Sequence, residues 1–297
     1  MVTGLLIAAH LVDFSIDGEE LDQIFANLPS PPREFTVTNA GGIIRYVVVG
    51  NPLLPAVVFI HGTPGSWDNF ARLMATPALL ARAQLVALDR PGFGGSQPGR
   101  AEPSLKRQAA AVATVVRAAA PDGTALFVGH SLGAPIAARV AVDFPALTSG
   151  LVLVAPSIDP ALEHLWWIQR PADWPFVSWL VPADLRTCNR ELLPLRGELE
   201  ELLSHWSEIR VPVTVIQGED DSLVPAANAK FAQRHLTQAP LVVERLQGVN
   251  HFIPWTDPEL ITRAVLRHLD GLASGNRGHD PANTPAWDAQ DQVPASP

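Results

Sequence analysis

The chain has 297 residues, with 47% hydrophobic residues, 17% charged residues and a formal net charge of −9. That balance excludes a disordered chain and allows a large buried core, as one α/β domain with an insertion or as two domains. The acidic charge, with no basic cluster, excludes a partner that presents a phosphate backbone, so no nucleic-acid partner is expected.

In chain order, Met1–Val12 is mostly apolar. It is about half the ~20 residues of a membrane-spanning helix and lacks the features of an export signal. It reads as a short helix or frayed end within an N-terminal segment, 1–34, with a truncated anchor as the alternative. The expected location is cytoplasmic, with a membrane-associated or exported form left open. Phe35–Thr38 and Ile43–Val49 read as strands joined by a hairpin turn at Asn39-Ala-Gly-Gly. Ala56–Ile60, Gln84–Leu88, Ala125–Val128 and Leu151–Val154 are short continuous apolar runs, as expected of strands buried on both faces. Val211–Ile216 and Leu241–Glu244 complete the set of strands.

Helical patterns fall between them. Ser104 is placed to cap Leu105–Ala120, and Leu132–Phe144 follows a strand directly and stops before Pro145. Ala226–His235 and Pro258–Leu269 are also helical by pattern. The alternation predicts an α/β fold: a mainly parallel sheet with helices on both faces, built from residues 35–156 and 209–270. Residues 157–208 break the alternation, hold five of the eight tryptophans, and read as a helical cap. The tail, 271–297, is rich in Gly, Pro, Asn and Asp without periodicity and reads as disordered. Cys188 is the single cysteine, so it forms no internal disulfide and reads as a small packed side chain.

Chemistry concentrates in four loops. Gly129-His-Ser-Leu-Gly133 lies between a predicted strand and a predicted helix. At such a turn a serine, here Ser131, is held in a strained backbone with its hydroxyl exposed, and glycines flank it where a Cβ would collide. The helix start supplies the N–H of Leu132. His61-Gly-Thr-Pro-Gly65 follows the first buried strand. Acyl transfer needs a second N–H aimed at the developing oxyanion. Pro64 has none, so Thr63 is the candidate.

A general base is also required, and of nine histidines His251 is best placed, in the loop between the last strand and the last helix. His130 reads as a packed ring and His61 as support for its loop. The acid that orients His251 is expected from Gly218-Glu-Asp-Asp-Ser-Leu-Val-Pro225. Asp221 is preferred over Asp220 and Glu219, and Asp159 is an outside candidate. Asp89-Arg-Pro-Gly-Phe-Gly-Gly-Ser96 reads as structural. No His or Cys pair has zinc-ligand spacing, and neither a metal nor a cofactor is expected. Trp166, Trp167, Trp174 and Trp179 are candidates to line an apolar substrate entrance, and membrane contact stays open on the same ground.

Together these motifs, in this order, resemble the α/β-hydrolase superfamily over roughly residues 35–270. The resemblance implies the α/β-hydrolase fold with a small helical cap at 157–208. It also implies a serine hydrolase, carboxylesterase- or lipase-like, with Ser131, Asp221 and His251 as triad and Thr63 and Leu132 as oxyanion donors. Relatives that attack saturated carbon use an aspartate where this chain has Ser131, so the expected substrate is a small-molecule carboxylic ester. Thioesters, lactones, amides and activated C–C bonds are alternatives, and a non-catalytic binding protein is a further one. Oligomeric state is not legible.

Overall fold

The computed structural model describes residues 16–120, 123–164, 169, 174 and 181–274. Eight strands form one sheet: β1 (Arg33–Asn39), β2 (Gly42–Val49), β3 (Ala56–Ile60), β4 (Gln84–Leu88), β5 (Ala125–His130), β6 (Thr148–Val154), β7 (Val213–Gly218) and β8 (Leu241–Leu246). Their order is β1-β2-β4-β3-β5-β6-β7-β8. β1, β2 and β4 pair antiparallel, and β4, β3, β5, β6, β7 and β8 run parallel. The described α-helices are α1 (Gly18–Phe25), α2 (Ala71–Met74), α3 (Pro77–Leu80), α4 (Leu105–Ala119), α5 (Gly133–Asp143), α6 (Ala183–Leu203), α7 (Asn228–His235), α8 (Ile253–Thr256) and α9 (Pro258–Ala273).

The sheet is covered on both faces, and side-chain alternation shows it. Along β3, Ala56, Val58 and Ile60 enter one core cluster, and Val57 and Phe59 enter the other. The first cluster packs beneath α4, α5 and α7, through Val112, Ile136 and Phe231. The second packs beneath α2, α3 and α9, through Leu73, Leu79 and Ile261. Every residue of β3 and β4 is buried, so both strands read as unbroken apolar runs.

Several element ends differ from expectation for identifiable reasons. β6 begins at Thr148, three residues before the apolar run, because Gly150 sits within it. A Cβ at Gly150 would lie 2.7 Å from Nδ1 of His268 on α9. His268 also meets the Thr214 hydroxyl at 3.1 Å, a packing role that motif context did not reveal. β7 begins after Pro212, which has no N–H to give a ladder. α9 runs on through Ala273, so residues 271–273 are helical and not part of a tail. Residues 1–15 and 275–297 lie outside the described residues, and with them the calls on the N-terminal run and most of the tail.

Between β6 and β7, residues 155–164 are loop and turn, α6 is helical, and the second half of the segment belongs to the core. Leu195, Leu199 and Leu202 of α6, then Trp206, pack in the first cluster, and Trp206 stacks edge-on against Phe231 at 5.4 Å. A cap boundary at residue 208 therefore runs through packed core. No helix among the described residues is long and apolar enough to cross a membrane.

Candidate active site

The chain order makes the sheet switch direction at β3. β4 adds on one side of it and β5 on the other, so the loops at their carboxyl ends open a crevice between them. His61-Gly-Thr leaves β3 there, and Ser131 leaves β5.

Ser131 has φ 54°, a left-handed conformation that L residues avoid. Backbone bonds hold it: its N–H donates to Val154 O at 2.9 Å, and its carbonyl accepts from Ala134 N at 3.1 Å. The flanking glycines are steric necessities. A Cβ on Gly129 would lie 2.4 Å from Gly133 O, and one on Gly133 would lie 2.1 Å from Ile60 O. Gly62 is equally close on the other side of the crevice, where a Cβ would lie 2.9 Å from Ser131 Cβ. Ser131 itself is partly exposed. Among the described residues, neither the Leu132 N–H nor the Thr63 N–H has a protein acceptor.

Asp221 and His251 meet. His251 Nδ1 and Asp221 Oδ2 are 2.7 Å apart, with the carboxylate fully buried and the ring nearly so. The other carboxylate oxygen accepts from Leu223 N at 2.9 Å and Val224 N at 2.7 Å, which fixes the acid in its turn. Gly218 lets the two loops approach, since a Cβ there would lie 2.1 Å from Val249 O. Asp220 is exposed, and Glu219 pairs with Arg245 instead. Asp159 accepts from Ala161 N at 2.9 Å and faces Arg234 at 3.4 Å.

His130 bridges serine and histidine. Its ring lies 4.9 Å from the His251 ring, and its Nε2 is 3.0 Å from the His251 carbonyl. A carbonyl only accepts, so Nε2 carries the proton and donates. The structure thus joins Asp221 to His251, sets His251 against His130, the residue before Ser131, and sets Gly62, the residue before Thr63, against Ser131.

Comparison with known proteins bears on family and fold. Residues 55–195 match the family model described as alpha/beta hydrolase fold. An Escherichia coli (strain HS) protein named "Putative carbamate hydrolase RutD" is 30% identical over 252 residues, 74% of this chain and 92% of that protein. The chain belongs to the α/β-hydrolase family. The "2-(acetamidomethylene)succinate hydrolase" of Mesorhizobium japonicum is 26% identical to this hydrolase over 250 residues, covering 73% of this chain and 88% of that protein. Among solved structures, a "putative lipase" from Acinetobacter baumannii AYE superposes with TM-score 0.67 at 20% identity, over 89% of this chain and 98% of that one. At that identity the likeness concerns fold alone.

Of the four tryptophans expected at a substrate entrance, Trp166, Trp167 and Trp179 lie outside the described residues of the hydrolase. Trp174 is 62% exposed. The aromatics seen next to the histidines are others: Trp255 lies edge-on to His130 at 5.6 Å and Phe252 edge-on to His251 at 5.9 Å. Both come from the stretch immediately after His251, where the absence of periodicity concealed them.

The Asp89–Ser96 loop is structural, as expected. Asp89 accepts from Trp67 N and Gly95 N, and Ser96 is fully buried with its hydroxyl on Asp89 O. The same loop carries Arg90, whose role and whose partner, Glu191, the sequence pattern does not mark. Arg90 is fully buried and forms a two-pronged ion pair with buried Glu191 of α6, at 2.8 and 3.1 Å. Cys188, one turn earlier, is buried as expected, and burial pushes its thiol up to about 11.

Burial, then the neighbouring His251 charge, lowers His130 from 6.5 to about 3. The unfolded chain therefore binds this proton at a pH where the folded chain does not. Stability from this group is complete above about pH 6.5 and declines as pH falls toward 3. Buried His61 is shifted in the same direction, again chiefly by burial. Urea unfolding of the hydrolase between pH 7 and pH 5 is expected to show a falling midpoint, by up to ~1.4 kcal/mol per pH unit for each such histidine. His130→Gln should flatten part of that slope. An unchanged slope would contradict the assignment.

Proposed function

We propose that the protein is a serine hydrolase that cleaves a carboxylic ester through an acyl-enzyme on Ser131. The observation that carries this reading is the buried 2.7 Å contact between Asp221 and His251 Nδ1, beside a serine in a strained strand-to-helix turn. With Nδ1 held by the carboxylate, Nε2 is the nitrogen left to accept the Ser131 proton. Ser131 Oγ attacks the carbonyl carbon, and the carbonyl oxygen takes the negative charge within reach of the Thr63 and Leu132 N–H groups. Collapse of this intermediate expels the alkoxide, which leaves with the proton from the His251 imidazolium. Water then attacks the acyl-serine with His251 as base again, releasing the acid and restoring Ser131.

A second reading is hydrolysis at an N–C(=O) bond, a carbamate or an amide. What favours it is the activity named for the relatives in Escherichia coli and Mesorhizobium japonicum. The same groups suffice, with His251 protonating a leaving amine. A matched panel separates the two: one acyl group presented as p-nitrophenyl ester, as p-nitroanilide and as aryl carbamate. The ester reading predicts the highest kcat/KM for the ester by at least about tenfold beyond its greater intrinsic reactivity. A preference for carbamate or anilide after that correction would move the assignment to the second reading.

A further inference from the structure

The Arg90–Glu191 pair lies behind the loop that carries Thr63, and it holds two successive carbonyls of that loop, His61 O and Gly62 O. Arg90 Nε donates to His61 O at 2.9 Å, and Nη2 donates to Gly62 O at 2.8 Å. Nη1 donates to Gln108 Oε1 at 2.6 Å and Glu191 Oε1 at 2.8 Å, and Nη2 also reaches Glu191 Oε2 at 3.1 Å. All five guanidinium N–H groups are thus used. Glu191 is equally complete, since Oε1 also accepts from Gln108 Nε2 at 3.0 Å and Oε2 from the Thr63 hydroxyl at 2.9 Å.

His61 strengthens the same point. The Arg90 backbone N–H donates to His61 Nε2 at 2.9 Å, so Nε2 holds a lone pair. The proton is then on Nδ1, which donates to Gly62 O at 2.7 Å. Gly62 O accordingly receives two donors, one of them cationic.

The carbonyl of Gly62 and the N–H of Thr63 belong to one planar unit. That peptide is trans, so its O and N–H point in opposite directions. Fixing the oxygen toward Arg90 aims the N–H away from Arg90. Withdrawing charge from the oxygen also makes the N–H a better donor, as in any chain of polarising hydrogen bonds. The Thr63 N–H has no protein acceptor among the described residues.

We propose that Arg90 and Glu191 are positioning residues that aim and polarise the Gly62–Thr63 peptide, so that the Thr63 N–H is a preorganised oxyanion donor. This rests on the acyl-serine reading above. Glu191 keeps the guanidinium in place and, through the Thr63 hydroxyl, ties this donor to α6. A preorganised donor acts on the transition state more than on bound substrate, so its loss falls on kcat and leaves KM nearly unchanged.

Removing one partner leaves an unpaired buried charge, and a single variant risks unfolding. The informative variant is therefore the double substitution Arg90→Met with Glu191→Leu, which replaces the pair by apolar groups of similar size. Thr63→Val is the companion, since it removes the hydroxyl bonds to Glu191 and to the Cys188 thiol without touching the ion pair, and Thr63→Ser restores them. Each is assayed for thermal midpoint, for kcat and KM on a p-nitrophenyl ester, and for affinity to an alkyl trifluoromethyl ketone, which forms a tetrahedral adduct with a nucleophilic serine. The folded double variant is expected to lose roughly 10–100-fold in kcat and the same factor in ketone affinity, with KM within about twofold. Thr63→Val should lose less, and Thr63→Ser should recover it. A folded double variant with wild-type kcat and wild-type ketone affinity would overturn the proposal and leave the pair purely structural. Fluorophosphonate labelling separates this from failure of the underlying reading. If the wild-type protein is labelled at Ser131 and the double variant reacts as fast, only the positioning role fails. If the folded wild-type protein is not labelled at Ser131, both readings fall.

Discussion

Ser131→Ala is expected to lower kcat for ester hydrolysis by roughly 10⁴–10⁶-fold while leaving the folded state intact. The size follows from the loss of the attacking atom. The Thr63 and Leu132 N–H groups would remain and still stabilise a tetrahedral oxygen, so the residual rate need not fall to that of water. The intact fold follows from how the turn is held. The bonds that fix Ser131 are backbone bonds, to Val154 O and from Ala134 N, and an alanine keeps both. The strain at φ 54° is also common to both residues. The check is steady-state kinetics beside a thermal melt. A variant that melts like the wild type yet keeps more than about a tenth of its kcat would contradict the nucleophile assignment.

The second large effect is expected at Asp221. Asp221→Asn should lower kcat by about 10³–10⁴-fold with little change in KM, because the amide reverses the demand placed on Nδ1. The carboxylate accepts from Nδ1–H, which leaves Nε2 free to take a proton. An amide that turns its NH2 toward Nδ1 selects the other tautomer and removes the base. The backbone donors Leu223 N and Val224 N bind the Oδ1 position, and an asparagine carbonyl serves them there, which is what would turn the NH2 toward His251. Asp220→Asn, at the exposed neighbour, should change kcat less than about twofold and is the matched control. Equal losses in the two variants would move the acid elsewhere.

What could be read in advance was set by local constraint. β3 and β4 were legible to the residue because burial on both faces demands a continuous apolar run, and little else produces one. The turn at Ser131 was legible because Gly129 and Gly133 are required by backbone contacts of 2.4 and 2.1 Å, so the spacing carries the geometry. The acidic turn points to Asp221 over its neighbours, and the contact with His251 is consistent with that choice.

The features that escaped are those made by distant partners. Arg90 and Glu191 are 101 residues apart, and each sits among polar neighbours that suggest a solvated side chain. Nothing local marks either as buried, and only closing α6 against α4 and the His61 loop brings them together. Trp206 escaped for a related reason. In a tryptophan-rich stretch it reads as part of the cap, whereas three leucines of α6 carry it into the core. Gly150 concealed the start of β6, because a strand position that must accommodate a histidine ring has no apolar side chain to show.

On the proposed mechanism, the hydroxyl oxygen of one serine, held in a left-handed turn, bonds to the acyl group. The most direct measurement is the mass of the folded, full-length protein after reaction with a fluorophosphonate, followed by peptide mapping. The account predicts one adduct per chain, located on Ser131 and absent from Ser131→Ala. An adduct on another residue, or ester turnover by protein that remains unlabelled, would contradict it.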